Sequence, residues 1–153
     1  VPRLPTTQTT LTELAKLGFT ELGEAGELVD GLPQDLIGHF AHAADADQAL
    51  RLLGELQEHA PTEVEAILAD TGSADRLIRI LGASRGIAEF FLRHPEELDV
   101  LSIPLEALPS LHTLRADLVA AVVGLVDDAA FTALRVRYRR HLAALAGWDL
   151  SHP

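Results

Sequence analysis

A serine in a glycine-flanked pentapeptide is the first feature that could do chemistry. Gly82-Ala83-Ser84-Arg85-Gly86 matches G-x-S-x-G, the pattern of a nucleophile elbow that presents a serine on a strained strand-to-helix turn. Asp99 and then His112 or His141 follow in the order of a Ser, Asp, His triad. The surroundings oppose this reading. Leu77, Ile78 and Leu81 keep helical spacing up to the motif, so Gly82 reads as the residue just past a helix end and Ser84 as the cap of the next helix. No parallel strand is legible to carry an elbow, and a serine hydrolase is kept only as a distant reading.

Histidines are the next candidates. His39 and His42 stand three apart with Asp45 and Asp47 nearby, a conceivable metal set. Zinc needs three or four converging ligands, however, and Asp45 with Gln48 has the pattern of a helix cap. The expectation is a solvated helix end with no metal ligands. His94, in Arg93-His94-Pro95-Glu96, could act as a base beside acidic groups. It reads better as a helix C-terminal residue that complements the dipole, with Pro95 as the stop.

The strongest electrostatic feature is Arg135, Arg137, Arg139 and Arg140, four of the 12 basic residues of an acidic chain. At about 100° per residue, Phe131, Leu134, Tyr138, His141, Leu142 and Leu145 form one broad face, predicted to point inward, with Val136 on the outer side among the arginines. The rim is either solvated and paired with acidic helices, or a cationic edge for phosphate, nucleotide or another domain, because Arg offers forked donors suited to oxyanions. Arg139 and Arg140 are the candidate interdomain contacts.

Helices must position all of these side chains. Thr10 with Glu13 forms a capping box before Leu11, Leu14 and Leu17, and Gly18 ends that helix. A second helix follows Thr20. Pro33 suits the first position of a third, with Leu36, Ile37 and Phe40 inward, and Asp45 caps a fourth through Leu52, Leu53 and Leu56. Pro61 opens a fifth, broken at Thr71-Gly72. Ser73, Ser84 and Ser110 cap the sixth, seventh and eighth, the last of these running to Val122. The stretch Ser102 to Pro109 is the longest connection, and Asp127 or Asp128 caps the final helix. The fold class is all-α, eight to ten helices in a succession of antiparallel hairpins, an irregular bundle. Residues 1–9 read as an extended arm and 10–153 as one helical subdomain.

Composition agrees. With 153 residues, 48% of them hydrophobic and mean hydropathy +0.17, the chain can bury a core. A formal charge of −11 excludes nonspecific nucleic-acid binding. No cysteine means no disulfide, thiolate site or cysteine nucleophile. The most apolar stretch, Leu118 to Val126, is far short of a membrane span of about 20 residues. No targeting peptide is visible, so no membrane partner is expected and cytoplasmic is the default. A chain that opens on Val1 and contains no Met reads as a segment of a longer protein.

Leu81-Gly82-Ala83-Ser84, then Ala88 and Leu92-Arg93-His94-Pro95-Glu96-Glu97-Leu98, resembles the early helical signature of the bifunctional glutamine synthetase adenylyltransferase/adenylyl-removing enzymes. Leu134-Arg135, Tyr138-Arg139-Arg140, Leu142, Leu145 and Asp149-Leu150 are similar to the arginine-rich helix before that family's first nucleotidyltransferase domain. Leu14-Ala15-Lys16-Leu17-Gly18-Phe19 resembles the opening of actinobacterial members. The resemblance implies an enzyme that attaches AMP from ATP to a tyrosine of glutamine synthetase and removes it by phosphorolysis, using Mg²⁺ and controlling nitrogen assimilation. It implies three partners: the following nucleotidyltransferase domain, glutamine synthetase and a PII-type regulator. The family's Gly-Gly-x-Glu-Leu … Ser-Asp-x-Asp carboxylates are missing here, so the segment is expected to support catalysis, with no catalytic residue or cofactor of its own. Glu96-Glu97 and Asp127-Asp128 read as helix-start charges. The alternative is a free-standing acidic helical interaction module.

Overall fold

The computed structural model describes residues 9–103 and 108–152. All but the last residue of the expected arm 1–9, and part of the expected connection Ser102 to Pro109, lie outside the described residues. The helices are α1 (Leu11–Lys16), α2 (Leu22–Val29), α3 (Gln34–Ile37), α4 (Ala46–His59), α5 (Pro61–Leu68), α6 (Thr71–Ala83), α7 (Arg85–Arg93), α8 (Leu111–Ala120) and α9 (Asp127–Ser151). Two 3₁₀ segments, Gly38–His42 and Pro95–Ser102, complete an architecture without strands among the described residues.

Side-chain caps decide several of the boundaries. Thr10 and Glu13 close the capping box on α1, and Gly18 follows with a φ of +96° that favours glycine. Asp45 accepts from the Gln48 N–H at 2.8 Å, Ser84 from Ile87 at 3.3 Å and Ser110 from Thr113 at 3.1 Å. Other boundaries differ from expectation. Asp70, not Ser73, caps α6: its carboxylate accepts the Ser73 N–H at 2.8 Å and hydroxyl at 2.7 Å, so Thr71-Gly72 begins the helix where a break was predicted. Pro33 is the cap of α3 and not its first residue. The second helix does follow Thr20, whose N–H and hydroxyl donate to Asp47 of α4, at 2.9 and 2.6 Å. Helix α8 stops at Ala120, short of Val122, and Val126 stands at the cap of α9, where no side-chain cap bond forms.

Gly82 is also reassigned. It lies inside α6, and a Cβ there would sit 2.8 Å from the Ala43 Cβ and 2.9 Å from the Asp45 carbonyl oxygen. Its role is close helix-to-backbone approach, not a left-handed terminus. Helix α6 is the centre of the fold, with α4 against one side and α9 against another. Leu77, Ile78, Ile80 and Leu81 of α6 join Phe40, Leu53, Leu56, Phe91 and Leu101 in one fully enclosed core. Each such side chain contributes about 1.5–3 kcal/mol by leaving water.

Candidate interdomain surface

Helix α9 presents a different face to the core from the one its bulky residues suggest. Val136, Arg140, Ala143 and Gly147 are spaced four, three and four apart, which puts them on one stripe. That stripe faces the core, with Gly147 against α6 and Arg140 against the segment Pro95–Ser102. Ala143 is fully buried, Val136 packs on the core, and a Cβ on Gly147 would meet Arg76, Ile80 and Leu101 at 3.5–3.6 Å. The predicted inward face is corrected: Phe131 is 65% exposed and Tyr138 54%, with Leu134 and Leu142 also exposed. Small residues let α9 lie close to α6, and Leu134, Tyr138 and Leu142 are thereby turned towards α8.

Helix α8 covers them only partly. Leu114, Leu118 and Val122 face Leu134, Tyr138 and Leu145 across an open apolar groove of about 450 Å³. No residue of α8 is buried, and Leu111 is 83% exposed. What ties the two helices together is Asp117, whose Oδ2 lies 2.8 Å from His141 Nε2 and 3.6 Å from Arg137 Nε.

The four arginines divide by the same geometry. Arg140 lies on the core-facing stripe, its side chain only 16% exposed, and its Nη1 donates to Glu97 at 2.8 Å and to Asp99. Burial disfavours its charge, but the bonds it donates to Asp99 and Glu97 outweigh that and hold its pKa above the ordinary value. Arg140, one of the two candidate interdomain contacts, is thus paired internally and staples α9 to the segment Pro95–Ser102. Arg139 is exposed and makes no ion pair among the described residues. With Arg93, Tyr138 and Leu142 it lines a cleft of about 380 Å³ between α7 and α9. A neighbouring cleft of about 210 Å³ gathers Arg93, His94, Arg135 and Arg139.

The other sequence candidates, His112 apart, are each engaged with particular neighbours. Ser84 is engaged as the α7 cap, Asp99 accepts from Arg140, His141 pairs with Asp117, and His112 is exposed on α8, so no triad forms. His94 ends α7, its N–H bonded to the Phe90 carbonyl at 2.9 Å and its ring 3.2 Å from Glu96 Oε1. Asp45 and Asp47 have the capping and Thr20 roles described above, while His39 is mostly covered and His42 half exposed. Both meet Asp75 of α6, a carboxylate that no local spacing singles out. Among the described residues no helix is long and apolar enough to cross a membrane.

No family model matches the chain, and no solved structure does. A curated relative does: the chain is 44% identical over 156 residues to the bifunctional glutamine synthetase adenylyltransferase/adenylyl-removing enzyme of Leifsonia xyli subsp. xyli. The match covers 94% of this chain and 16% of that enzyme, so the chain spans only a small part of its relative's length. By its residues and by this alignment, the chain is a relative of one segment of the glutamine synthetase adenylyltransferase/adenylyl-removing enzymes.

Proposed function

We propose that this chain is the helical N-terminal part of such an enzyme, that it supports nucleotidyl transfer without performing it, and that α8 and α9 dock the nucleotidyltransferase domain. The observation that carries the reading is the open apolar groove on α8 and α9. Its lining is almost wholly apolar and open to solvent, the character of the core of a protein–protein contact. At Tyr138 and Leu142 the groove runs into the cleft bearing Arg139, so an apolar patch is edged by cations suited to an acidic partner surface.

The ATP and Mg²⁺ chemistry of the whole enzyme would reside elsewhere. Among the described residues the group of three potential ligands is His39, His42 and Asp75, a nitrogen-rich set unlike the oxygen shells that Mg²⁺ takes. Glu96-Glu97 and Asp127-Asp128 do not converge on it, and no step through the nucleotide is derived from these residues.

The test combines Tyr138→Asp with Leu142→Asp, two exposed residues that line the groove. In the longer enzyme the double change should weaken removal of AMP from glutamine synthetase, whereas in the 153-residue chain the melting temperature should hardly move. Full activity in the longer enzyme would leave the interaction module as the surviving reading. The chain alone should release no ADP from adenylylated glutamine synthetase supplied with phosphate and Mg²⁺; sustained turnover would refute the supportive role.

A further inference from the structure

We infer that His39, His42 and Asp75 form a binding site for a late first-row divalent cation such as Zn²⁺, with one coordination position open to water. The site begins in the backbone. A 3₁₀ helix has three residues per turn, so side chains three apart stand over one another. In the segment Gly38–His42 that places both imidazoles on one side, and packing against α6 brings Asp75 to them. Asp75 Oδ1 lies 3.1 Å from His39 Nδ1 and 2.7 Å from His42 Nδ1, and the three ligand atoms fall within 4.8 Å of one another.

In a tetrahedral zinc shell with bonds of about 2.0–2.2 Å, neighbouring ligand atoms are about 3.3–3.6 Å apart. To admit the ion, His39 must move out from Asp75 by about 0.2–0.5 Å and His42 by about 0.6–0.9 Å, the latter a shift open to a half-exposed side chain. The other carboxylate oxygen is already held: Arg79 Nε donates to Asp75 Oδ2 at 2.6 Å, while Arg79 Nη1 donates to the Leu150 carbonyl at 2.8 Å. Outer contacts of this kind orient a metal-binding carboxylate. The cation of Arg79 also lowers the affinity, so tight structural-zinc binding is not expected.

Two imidazoles and a carboxylate suit Zn²⁺, Co²⁺ or Ni²⁺ better than Mg²⁺ or Ca²⁺. Entry is open on one side, since the His42 side chain is 51% exposed against 16% for His39. On binding, each imidazole gives up its Nδ1 hydrogen bond and carries its proton on Nε2, leaving both rings neutral. A hydrogen-bond hub alone would be served by the more buried His39; a second, half-exposed imidazole on the same oxygen adds little to stability.

The test is titration of the tag-free chain, stripped with chelator, with Co²⁺ followed by visible absorption and with Zn²⁺ by calorimetry. One equivalent of cobalt should bind with the strong absorption of a four-coordinate site and be displaced by zinc. His42→Gln should lower the affinity at least about tenfold with an unchanged far-UV circular dichroism spectrum, because that side chain is half exposed. His59→Gln and His152→Gln should leave it unchanged. Zinc should also raise the melting temperature of the wild type but not of His42→Gln, since an ion bound only to the native state stabilises it. Absence of one-equivalent binding, or equal binding by a His39→Gln, His42→Gln double variant that retains its fold, overturns the proposal.

Discussion

Arg140 and Arg139 are adjacent in sequence, and the structure assigns them opposite consequences. Arg140→Leu keeps an apolar stem on the core-facing stripe but removes the cation from Glu97, itself only 16% exposed. The Asp99 arm of the pair is 66% exposed and is worth at most about 1 kcal/mol. The Glu97 arm matters more, because a charge-assisted bond contributes about 1.5–3 kcal/mol and the stranded carboxylate stays partly desolvated. The sum is a loss of about 2–4 kcal/mol. For a chain of this length each kcal/mol moves the melting temperature by about 2–4 °C, so a fall of about 5–15 °C is expected. Arg139→Glu, on the exposed side, should stay within about 0.5 kcal/mol of wild type. Adding Glu97→Leu to Arg140→Leu should recover most of the loss, because replacing both members of a buried pair is far milder than removing one. Urea and thermal unfolding followed by far-UV circular dichroism measures all four proteins. If Arg140→Leu unfolds like the wild type, or Arg139→Glu falls as far as Arg140→Leu, the division of the arginines by helix face is wrong.

Gly82→Ala should destabilise by about 1–3 kcal/mol through overpacking against Ala43 and Asp45, whereas Gly54→Ala, with open space around its Cβ, should stabilise by about 0.5–1 kcal/mol; paired denaturation curves decide both. Ser84→Ala should lower stability by about 1 kcal/mol as a lost cap, and a fluorophosphonate probe should leave Ser84 of the wild type unlabelled. Burial pushes the Asp47 carboxyl up, but bonds from Thr20 and Glu21 more than offset this and hold it below its ordinary value. Its contribution is therefore complete above the ordinary aspartate pKa of about 3.9 and is lost as the pH falls through the lower native value. Asp47→Asn should cost about 1–3 kcal/mol at neutral pH and flatten the acid limb of the stability profile, which a series of urea melts across acidic pH would reveal.

Local grammar was legible in the sequence wherever one side chain answers a backbone group a few residues away. Thr10, Asp45, Ser84 and Ser110 could be read as caps because the cap and the N–H it satisfies lie within one turn. The buried residues of α3 and α4 followed from apolar spacing, since their large side chains have the core on one side only. Two competing local signals were misread for the same reason: Asp70 and Ser73 are both good caps, and only the hydrogen bond between them shows which one serves. The family, too, lay in the helix punctuation and the arginine spacing, and the 44% identical relative carries the same name. What spacing could not determine was which of two apolar faces of α9 meets the core. Bulk argued for Phe131, Tyr138 and Leu142, yet α6 accepts only Ala143 and Gly147 at its close approach, and the rotation this imposes carries Arg140 inward with them. The trio at Asp75 is of the same kind. His39 and His42 were visible as a pair, but their carboxylate lies 33 residues beyond His42 in sequence, and only the packing of one turn against α6 brings it within bonding distance.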